Sequence, residues 1–472
     1  MQDALLDTLR NIVGPDHVLT APTHGDLGAW ERDWRGRERG RALAVVRPGS
    51  TEEVARIVAA CVASRTSLVP QGGNTGMVLG SIPDTSGTQV LLSLQRMLRV
   101  RAIDAGNMTL TAEAGCILQT LQEAAQAQGF LYPLSLGSEG SCTLGGNLAT
   151  NAGGTQVVRW GNARELCLGL EVVTAQGAVW SQLSGLRKDN TGYDLRHLYI
   201  GSEGTLGVIT AATMKLYPLP VAQLTAFAAV PSLDAAVALL GLAHKVLAAG
   251  LTGFEVMGQF ALDLVAKHFP ERRIPHQGEA PYYVVLEHSD SESQPHAQAL
   301  LENLLQAAVD AGCVSNATVA TNVAQAKALW SIRAAIPLAQ AQEGLNIKHD
   351  ISIPVSRIPA FVQETDALLQ QAHPGVRLVN YGHLGDGNLH YNVQAPLGTD
   401  AADFFIEQEG PINSLVYDQV DRFAGSISAE HGIGSLKRDK LVQHKSPVAM
   451  DLMRTIKQAL DPLNLMNPGR VL

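Results

Sequence analysis

Clusters of glycine constrain the fold of this chain more than any other feature. The chain has 45 glycines in 472 residues, and many lie in the segments 72–80, 137–154 and 201–207, with a fourth cluster at 382–387. Successive glycines let backbone N–H groups converge into a concave surface that binds anions. One such loop is equally typical of an ordinary tight turn, but three in one domain favour a large ligand with a pyrophosphate. The G-x-G-x-x-G fingerprint does not occur near the N-terminus, which disfavours a nicotinamide-binding Rossmann domain.

Composition narrows the class of protein. Hydrophobic residues make up 46% of the chain and charged residues 17%, which is typical of a globular protein with ample core. The formal charge of −9 argues against a nucleic-acid partner. The five cysteines form no C-x-x-C pair, which predicts reduced thiols and a cytoplasmic location. No secretory signal is evident, and no apolar run approaches the ~20 residues of a transmembrane helix, so we expect no transmembrane segment.

The pattern of elements changes along the chain. Up to about Pro220, short strands alternate with glycine-rich joints. These strands are predicted at 42–48, 67–70, 89–93, 98–103 and 109–113. Beyond that point, long Ala/Leu helices are predicted at 233–249, 294–312, 322–343 and 357–372, with strands such as 281–288 and 376–382. The glycine-rich pattern returns after about residue 425. The sequence therefore predicts an α+β protein in three segments, 1–220, 221–425 and 426–472.

Two histidines, His383 and His390, lie seven residues apart in a segment with three glycines. In one continuous strand this odd spacing would place them on opposite faces, and each interior glycine disfavours a helix by roughly 1 kcal/mol. The segment therefore predicts a strand that breaks into a loop and resumes, so that both imidazoles turn toward one point. With Glu430 they would suit zinc or another divalent cation. A hairpin turn whose histidines only bond locally is the alternative, and Asp386 is expected to form the turn rather than to bind metal.

The three glycine clusters at 72–80, 137–154 and 201–207 resemble the FAD-binding domain of the vanillyl-alcohol oxidase and p-cresol methylhydroxylase superfamily. The resemblance continues through 188–195 and 199–204. In the C-terminal half, the segments 383–390, 428–434 and 466–469 resemble the branch that oxidises D-2-hydroxy acids, the D-2-hydroxyglutarate type above all. It implies a two-subdomain FAD-binding fold of the vanillyl-alcohol oxidase type over 1–220. It further implies a substrate-binding cap domain of antiparallel sheet and helices over 221–425, and a C-terminal segment, 426–472, that packs back on the FAD domain.

The resemblance assigns FAD contacts to residues of the glycine clusters and of the C-terminus. They are Gln71, Gly72, Gly73, Asn74, Thr75, Gly76, Met77, Gly137, Ser138, Ser141, Gly145, Gly146, Asn147, Thr150, Glu203, Gly207, Val208, Ile209 and Asn467. Some relatives attach FAD covalently through a histidine or a cysteine in the first loop. The loop 71–76 contains neither residue, so we expect FAD to be bound non-covalently.

The same resemblance implies a metal and a base. The zinc ligands of the family correspond to His383, His390 and Glu430, the general base to His431, and a substrate-binding amide to Asn392. Oxidation of an alcohol requires a hydride to leave Cα for flavin N5 while the hydroxyl proton departs. A divalent cation lowers the pKa of a hydroxyl that it binds, and a histidine with an ordinary pKa of about 6.5 can accept the proton.

The predicted substrate anchors are Arg333 and Lys348, fifteen residues apart, which match the family's pair of basic residues. A buried carboxylate needs such fixed cations; the alternative is an exposed helix charge and a strand-edge lysine. Relatives of the hydroxyglutarate type often carry threonine four residues after the arginine, where this chain has Pro337. The Arg333/Lys348 pair favours a dicarboxylate, D-2-hydroxyglutarate or D-malate, whereas Pro337 weakens that preference; oxidation of D-lactate or glycolate is the alternative.

The remaining expectations concern partners. A non-catalytic flavin scaffold would have no need of a base such as His431 beside carboxylate anchors, so an enzyme is favoured. The resemblance implies an electron-transferring flavoprotein or a quinone as electron acceptor. The oligomeric state cannot be read from the sequence, and a homodimer stays open.

Overall fold

The computed structural model describes residues 2–472, so Met1, the first residue of the predicted FAD-binding domain, lies outside the described residues. The chain forms two compact units. The first unit comprises the described chain up to Gly153 together with Asn162–Leu219 and Glu430–Leu472. The second unit comprises Gly154–Gly161 and Pro220–Ala429.

The segment Gly154–Gly161 groups with the second unit, although it lies inside the range predicted for the first. Its helix Val157–Trp160 packs against the strand Leu251–Gly258, and Val158 packs on the apolar core of the second unit. A Cβ on Gly385 would lie 2.6 Å from Val158 Cγ2, so this approach requires glycine. Apolar burial rather than a local motif decides where this segment lies.

The first unit contains two main sheets and a two-stranded ribbon. The four-stranded sheet has the order Val18–Leu19, Ala42–Val46, Gln89–Ser93, Leu68–Gln71, and its last three strands are parallel. The five-stranded antiparallel sheet has the order Val100–Asp104, Thr109–Glu113, Gly207–Lys215, Cys167–Thr174, Val179–Gln182. The ribbon pairs Phe130–Leu131 with Tyr217–Pro218.

The helices of the first unit are mostly short. They are Gln2–Val13, Ala21–His24, Gly28–Glu31, Thr51–Ser64, Leu118–Gln126, Leu144–Ala149, Ala163–Leu166, Arg196–Tyr199, Arg438–His444 and Pro447–Leu460, with a 3-10 turn at Pro15–His17. The helix Thr51–Ser64 begins where Ser50 Oγ accepts the N–H of Glu53 at 3.2 Å, a favourable N-cap with acidic residues in the first turn. Its buried side chains, among them Val54 and Ile57, pack in one core with the four-stranded sheet.

One eight-stranded antiparallel sheet forms the centre of the second unit. Seven strands follow the order Asn316–Val319, Ala222–Val230, Tyr282–Asp290, Leu251–Gly258, Arg377–Gly382, Asn388–Gln394, Asn346–Ile347, and Asp350–Ser352 also pairs with Asn388–Gln394. Alternate residues of one strand enter different cores: Ala226 lies in one apolar cluster and Phe227 in the other. This alternation is expected when both faces of a sheet are covered. The prediction of an antiparallel sheet with helices is confirmed.

Helices cover this sheet. They are Val157–Trp160, Leu233–Leu247, Gln259–His268, Gln294–Asp310, Val323–Glu343, Ile358–Ala372 and Ala401–Arg422, with 3-10 turns at Ala248–Gly250 and Val355–Arg357. By length and composition alone, the window Leu233–Gly250 could cross a membrane. That evidence is weak, because a helix of a protein core meets the same two criteria, and Leu239 and Ala243 of this window lie in the apolar core.

Candidate active site

The first glycine loop lies directly against the second. A Cβ on Gly72 would lie 2.3 Å from Thr143 Oγ1, and a Cβ on Gly73 would lie 2.0 Å from the carbonyl oxygen of Ser141. Real Cβ atoms do not approach other atoms this closely, so these two positions require glycine. The backbone of the first loop therefore lies in contact with the second cluster.

The third glycine cluster is joined to the second by backbone hydrogen bonds. Gly201 N donates to Leu148 O at 2.9 Å, and Glu203 N donates to Ala149 O at 2.8 Å. Both acceptors belong to the helix Leu144–Ala149, which the second cluster forms. The three clusters that the sequence predicts as one cradle thus lie together in the first unit.

Several buried polar atoms of this cradle have no hydrogen-bond partner within residues 2–472. They are Gln71 Oε1, Thr143 Oγ1, Asn147 Nδ2 and Asn467 Oδ1, all on residues that are at most 3% exposed. An unpaired buried polar atom destabilises a fold by roughly 1–3 kcal/mol. A polar ligand that supplies both donors and acceptors would remove this penalty, so the residues fit FAD. Thr143 was missed in the sequence analysis, although it lies inside the second cluster.

Asn467 and Glu203 connect the C-terminal segment to the cradle. Asn467 Nδ2 donates to Gly80 O at 2.9 Å and to Glu203 O at 2.7 Å. The carboxylate of Glu203 accepts the N–H groups of Ile433 and Gly434, both at 2.7 Å. Burial raises the pKa of Glu203, and the two N–H donors oppose that shift. Glu203 therefore anchors the segment that follows the predicted base, and its contact with FAD stays a prediction.

The other predicted FAD residues lie on the same loops, and their contacts with FAD likewise stay predictions. Asn74, Thr75, Gly76 and Met77 follow the strand Leu68–Gln71; Gly137, Ser138, Ser141, Gly145, Gly146 and Thr150 lie in or beside the second cluster; Gly207, Val208 and Ile209 begin the strand Gly207–Lys215. Thr150 Oγ1 donates to Gly146 O at 3.0 Å, and Asn74 Nδ2 donates to Arg32 O at 2.9 Å. These bonds stabilise the loops.

His383 and His390 lie at a break between two paired strands. The strand Arg377–Gly382 ends directly before His383, and His390 lies on the strand Asn388–Gln394, opposite Tyr381. The centroids of the two imidazole rings are 5.5 Å apart. The strand, loop and second strand predicted from the glycines are therefore present.

The turn between these strands uses the residues that the sequence indicates. Asp386 Oδ1 accepts the N–H of Asn388 at 2.9 Å, which is a turn-forming bond. Gly387 has a φ of +87°, and a Cβ there would lie 2.5 Å from Ile353 O. Glycine is required at this position because both the φ value and the close approach exclude a side chain.

The predicted metal ligands offer the donor types that a divalent cation needs. In the second unit, a ring nitrogen of His383 lies within 4.8 Å of a ring nitrogen of His390. In the first unit, Glu430 and His431 are adjacent, and Glu430 Oε1 lies 3.7 Å from His431 Nε2. Two imidazole nitrogens and one carboxylate oxygen are a common ligand set of catalytic zinc, so the donors fit a divalent cation.

A fully buried carboxylate, Glu255, lies at the centre of the second unit and was also missed. It lies on the strand Leu251–Gly258 and is 0% exposed. Its Oε2 accepts from Arg333 Nε at 2.7 Å, and its Oε1 lies 2.5 Å from His383 Nδ1. Burial acts to raise the pKa of Glu255, but His383 and Arg333 outweigh it and hold that pKa below its ordinary value. The single charged residue in the strand Leu251–Gly258 was the available signal.

The predicted substrate anchors occupy different surroundings. Arg333 lies on the helix Val323–Glu343, is 8% exposed and places its guanidinium 4.7 Å from the centroid of the Tyr381 ring. Lys348 lies on the short connection between the strands Asn346–Ile347 and Asp350–Ser352.

Asn392, the predicted substrate-binding amide, is engaged within the protein. Its Oδ1 accepts the N–H of His349 at 3.1 Å, and its Nδ2 donates to Gln340 Oε1 at 3.0 Å. The residue is 1% exposed. These bonds position the connection that carries Lys348, and a contact of Asn392 with substrate stays a prediction.

Two family descriptions match the sequence. "FAD binding domain" matches residues 42–181, and "FAD linked oxidases, C-terminal domain" matches residues 219–471, more than half of the chain. The chain belongs to the FAD-linked oxidase family.

Relatives of this FAD-linked oxidase include proteins named D-2-hydroxyglutarate dehydrogenase. The protein from Xanthomonas citri pv. viticola is 38% identical over 471 residues, which is 100% of this chain and 97% of the relative. The mitochondrial protein from Rattus norvegicus is 39% identical over 97% of this chain and 83% of its own length. The protein from Stutzerimonas stutzeri is 34% identical over 99% and 98% of the two chains. The resemblance to the hydroxyglutarate branch is confirmed.

Solved structures confirm the fold of this FAD-linked oxidase. p-Cresol methylhydroxylase with substrate bound has a TM-score of 0.78 at 16% identity, over 99% of this chain and 96% of that chain. 4-Ethylphenol oxidase from Gulosibacter chungangensis has a TM-score of 0.72 at 19% identity, over 100% and 97%. At these identities the likeness concerns the fold alone, and it agrees with the predicted vanillyl-alcohol oxidase type.

Proposed function

We propose that this FAD-linked oxidase oxidises D-2-hydroxyglutarate to 2-oxoglutarate with FAD and a divalent cation, zinc or manganese among them. The observation that carries the proposal is the shared carboxylate of Glu255, which holds the predicted carboxylate anchor Arg333 and the predicted metal ligand His383 on its two oxygens. An arginine that binds a carboxylate and a histidine that binds the metal, both held by the buried Glu255 carboxylate, suit a substrate that has a hydroxyl as well as carboxylates. The relatives named D-2-hydroxyglutarate dehydrogenase support the choice of diacid.

The side chains divide the chemistry among them. When bound, FAD would accept the hydride from Cα at N5, and the cation would lower the pKa of the substrate hydroxyl. Arg333 and Lys348 would bind carboxylates through charge-assisted hydrogen bonds. His431, whose Nε2 lies 3.7 Å from Glu430 Oε1, would take the hydroxyl proton.

D-Malate is a second candidate because of Pro337. This residue lies inside the helix Val323–Glu343, one turn after Arg333. Relatives of the hydroxyglutarate type often carry a threonine hydroxyl there, which contacts the distal carboxylate. Proline offers no hydrogen-bond donor at this position, so the pocket has one donor fewer for a carboxylate at C5. This lowers the expected preference for D-2-hydroxyglutarate over the shorter diacid D-malate.

A panel of D- and L-2-hydroxy acids with an artificial dye as electron acceptor tests the proposal. We expect the highest kcat/KM for D-2-hydroxyglutarate, with D-malate next and the L-acids inactive. Dialysis against a chelator should lower the rate, and added Zn²⁺ or Mn²⁺ should restore it. A preference for D-lactate or glycolate would overturn the diacid assignment, and full activity in protein shown to be free of metal would overturn the cation.

FAD should be released intact when the purified protein is precipitated with acid. The reason is that the loop 71–76 contains no histidine or cysteine that could form a bond to the flavin. The absorbance of the supernatant and of the washed pellet measures the distribution. Yellow colour that stays with the pellet would show a covalent link.

Three further proposals concern the surroundings of the enzyme. We propose an electron-transferring flavoprotein or a quinone as acceptor, to be distinguished by the rates at which each reoxidises the reduced protein. We propose a cytoplasmic location, because the five cysteines are free and buried thiols; fractionation of the source cell tests this. We propose a homodimer, which light scattering on the purified protein tests.

A further inference from the structure

We propose that Glu255 is a positioning residue that couples the cation site to the substrate-binding arginine. The inference rests on the proposed function, because it assumes that His383 binds the cation and that Arg333 binds a carboxylate. Glu255 would touch neither the cation nor the substrate, and it would act on them through His383 and Arg333. It implies that metal affinity and diacid affinity depend on one buried side chain.

The geometry behind the inference is a closed ring of side-chain contacts, here called the Glu255 ring. Glu255 contacts Arg333 and His383 at 2.7 and 2.5 Å. Arg333 lies over the Tyr381 ring at 4.7 Å, and Tyr381 lies beside His390 with ring centroids 4.8 Å apart. His390 and His383 close the ring at 5.5 Å. Displacement of one member therefore shifts both the arginine and the two imidazoles.

The carboxylate also selects the tautomer of His383. An ionised carboxylate can only accept hydrogen bonds, so the proton of the imidazole must lie on Nδ1, the atom that Glu255 contacts. Nε2 then keeps its lone pair for a cation. A carboxylate that fixes a ligating histidine in this way raises its basicity, and loss of such a partner typically weakens metal binding by about 10–100-fold.

Glutamine at this position can satisfy only one of the two partners. If its oxygen accepts from His383, its NH2 group meets the N–H of Arg333 Nε, and two donors oppose each other. If its oxygen accepts from Arg333, its NH2 group meets His383 Nδ1, which forces the proton to Nε2 and removes the lone pair that a cation needs. Glu255→Gln must therefore weaken either the metal ligand or the arginine.

Metal and substrate affinities of Glu255→Gln test this coupling. Zn²⁺ dissociation constants are measured on chelator-stripped holoprotein by competition with a coloured chelator, without substrate. If the amide oxygen of Glu255→Gln stays on Arg333, we expect the constant to rise by about 10–100-fold. If the oxygen stays on His383, we expect the constant to be unchanged and KM for D-2-hydroxyglutarate at saturating Zn²⁺ to rise more than kcat falls. In the first case, Arg333→Ala/Glu255→Gln frees the amide oxygen to accept from His383, so the double variant should bind Zn²⁺ more tightly than Glu255→Gln alone.

Glu287→Gln is the matched control. Glu287 is 9% exposed, lies on the neighbouring strand Tyr282–Asp290 and contacts the neutral hydroxyl of Thr252 at 2.9 Å. The substitution Glu287→Gln removes a buried carboxyl group from the same sheet, but this group contacts a neutral hydroxyl rather than a charged side chain. Zn²⁺ affinity and KM should therefore stay at the wild-type values. If Glu255→Gln does not fold, Glu255→Asp keeps the charge but is too short to reach both partners, and it should show the same weakened Zn²⁺ binding.

The outcomes separate this inference from the proposed function. A wild-type protein that binds no Zn²⁺, or that does not oxidise the diacid, overturns the proposed function and the coupling with it. A wild-type protein that does both, with Glu255→Gln indistinguishable from Glu287→Gln, overturns the coupling alone. Where Glu255→Gln weakens Zn²⁺ binding, the coupling is also overturned if the double variant binds Zn²⁺ no more tightly than Glu255→Gln.

Discussion

Replacement of His431 by alanine is expected to lower kcat for the preferred 2-hydroxy acid by roughly 10²–10⁴-fold, the range for loss of a general base. His431 is 29% exposed at its side chain, so it can be removed without leaving a cavity in the core. FAD content and Zn²⁺ affinity should stay close to wild type, because the proposed ligands are His383, His390 and Glu430 and not His431. The loss should shrink as the pH rises, since hydroxide from solvent can then take the proton.

Steady-state dye reduction over a wide pH range measures this effect. His444→Ala is the control, because His444 ends the helix Arg438–His444 in the same C-terminal segment and has no proposed role. It should leave the rate and its pH dependence unchanged. If His431→Ala retains the wild-type rate and pH profile, His431 is not the general base.

Elements whose signals are local were predictable from the sequence. The strand predicted at 42–48 is Ala42–Val46, and the helix predicted at 294–312 is Gln294–Asp310. In the helix, Ser293 Oγ accepts the N–H of His296 at 3.2 Å, a cap within three residues of the start. Alternation, caps and glycine turns act over a few residues, so a single sequence contains them.

Contacts between distant residues were not predictable in the same way. Glu255 meets Arg333 across 78 residues and His383 across 128 residues. No spacing or periodicity links these positions, and the local sign is a single charged residue in a strand that is buried throughout. The packing of Val158 beside Gly385 is of the same kind. The positions of the predicted ligands thus follow from motifs, whereas the group that orients them follows from the fold.

Replacement of Arg333 by alanine should cause a large loss of kcat/KM for diacid substrates. Glu255 would lose its 2.7 Å partner while staying fully buried, and breaking a buried ion pair destabilises by about 3–5 kcal/mol. If Arg333 also binds the distal carboxylate, kcat/KM for D-2-hydroxyglutarate should fall by roughly 10²–10⁴-fold, at about 1.4 kcal/mol per factor of ten. Thermal unfolding monitored by flavin fluorescence separates loss of folded protein from loss of binding.

Lys348→Ala gives the contrast that assigns the two cations. Loss of the residue that binds the distal carboxylate should harm diacids and spare D-lactate, whereas loss of the residue that binds the C1 carboxylate should harm every 2-hydroxy acid. We therefore expect the two variants to differ in the ratio of kcat/KM for D-2-hydroxyglutarate to that for D-lactate. Equal losses for both substrates in both variants would mean that the distal carboxylate is bound elsewhere.

Pro337 provides a gain-of-function test of the same pocket. Proline has no N–H and crowds the carbonyl of Arg333, the residue four positions before it in the helix Val323–Glu343. Pro337→Ala restores the N–H alone, and Pro337→Thr restores the N–H together with a hydroxyl. If the hydroxyl contacts the C5 carboxylate, Pro337→Thr should raise kcat/KM for D-2-hydroxyglutarate above the value for Pro337→Ala, while D-malate and D-lactate change equally in the two variants. If threonine and alanine give the same diacid preference, the hydroxyl has no contact there. Together with equal losses at Arg333 and Lys348, that result would replace the diacid with D-lactate or glycolate as the proposed substrate.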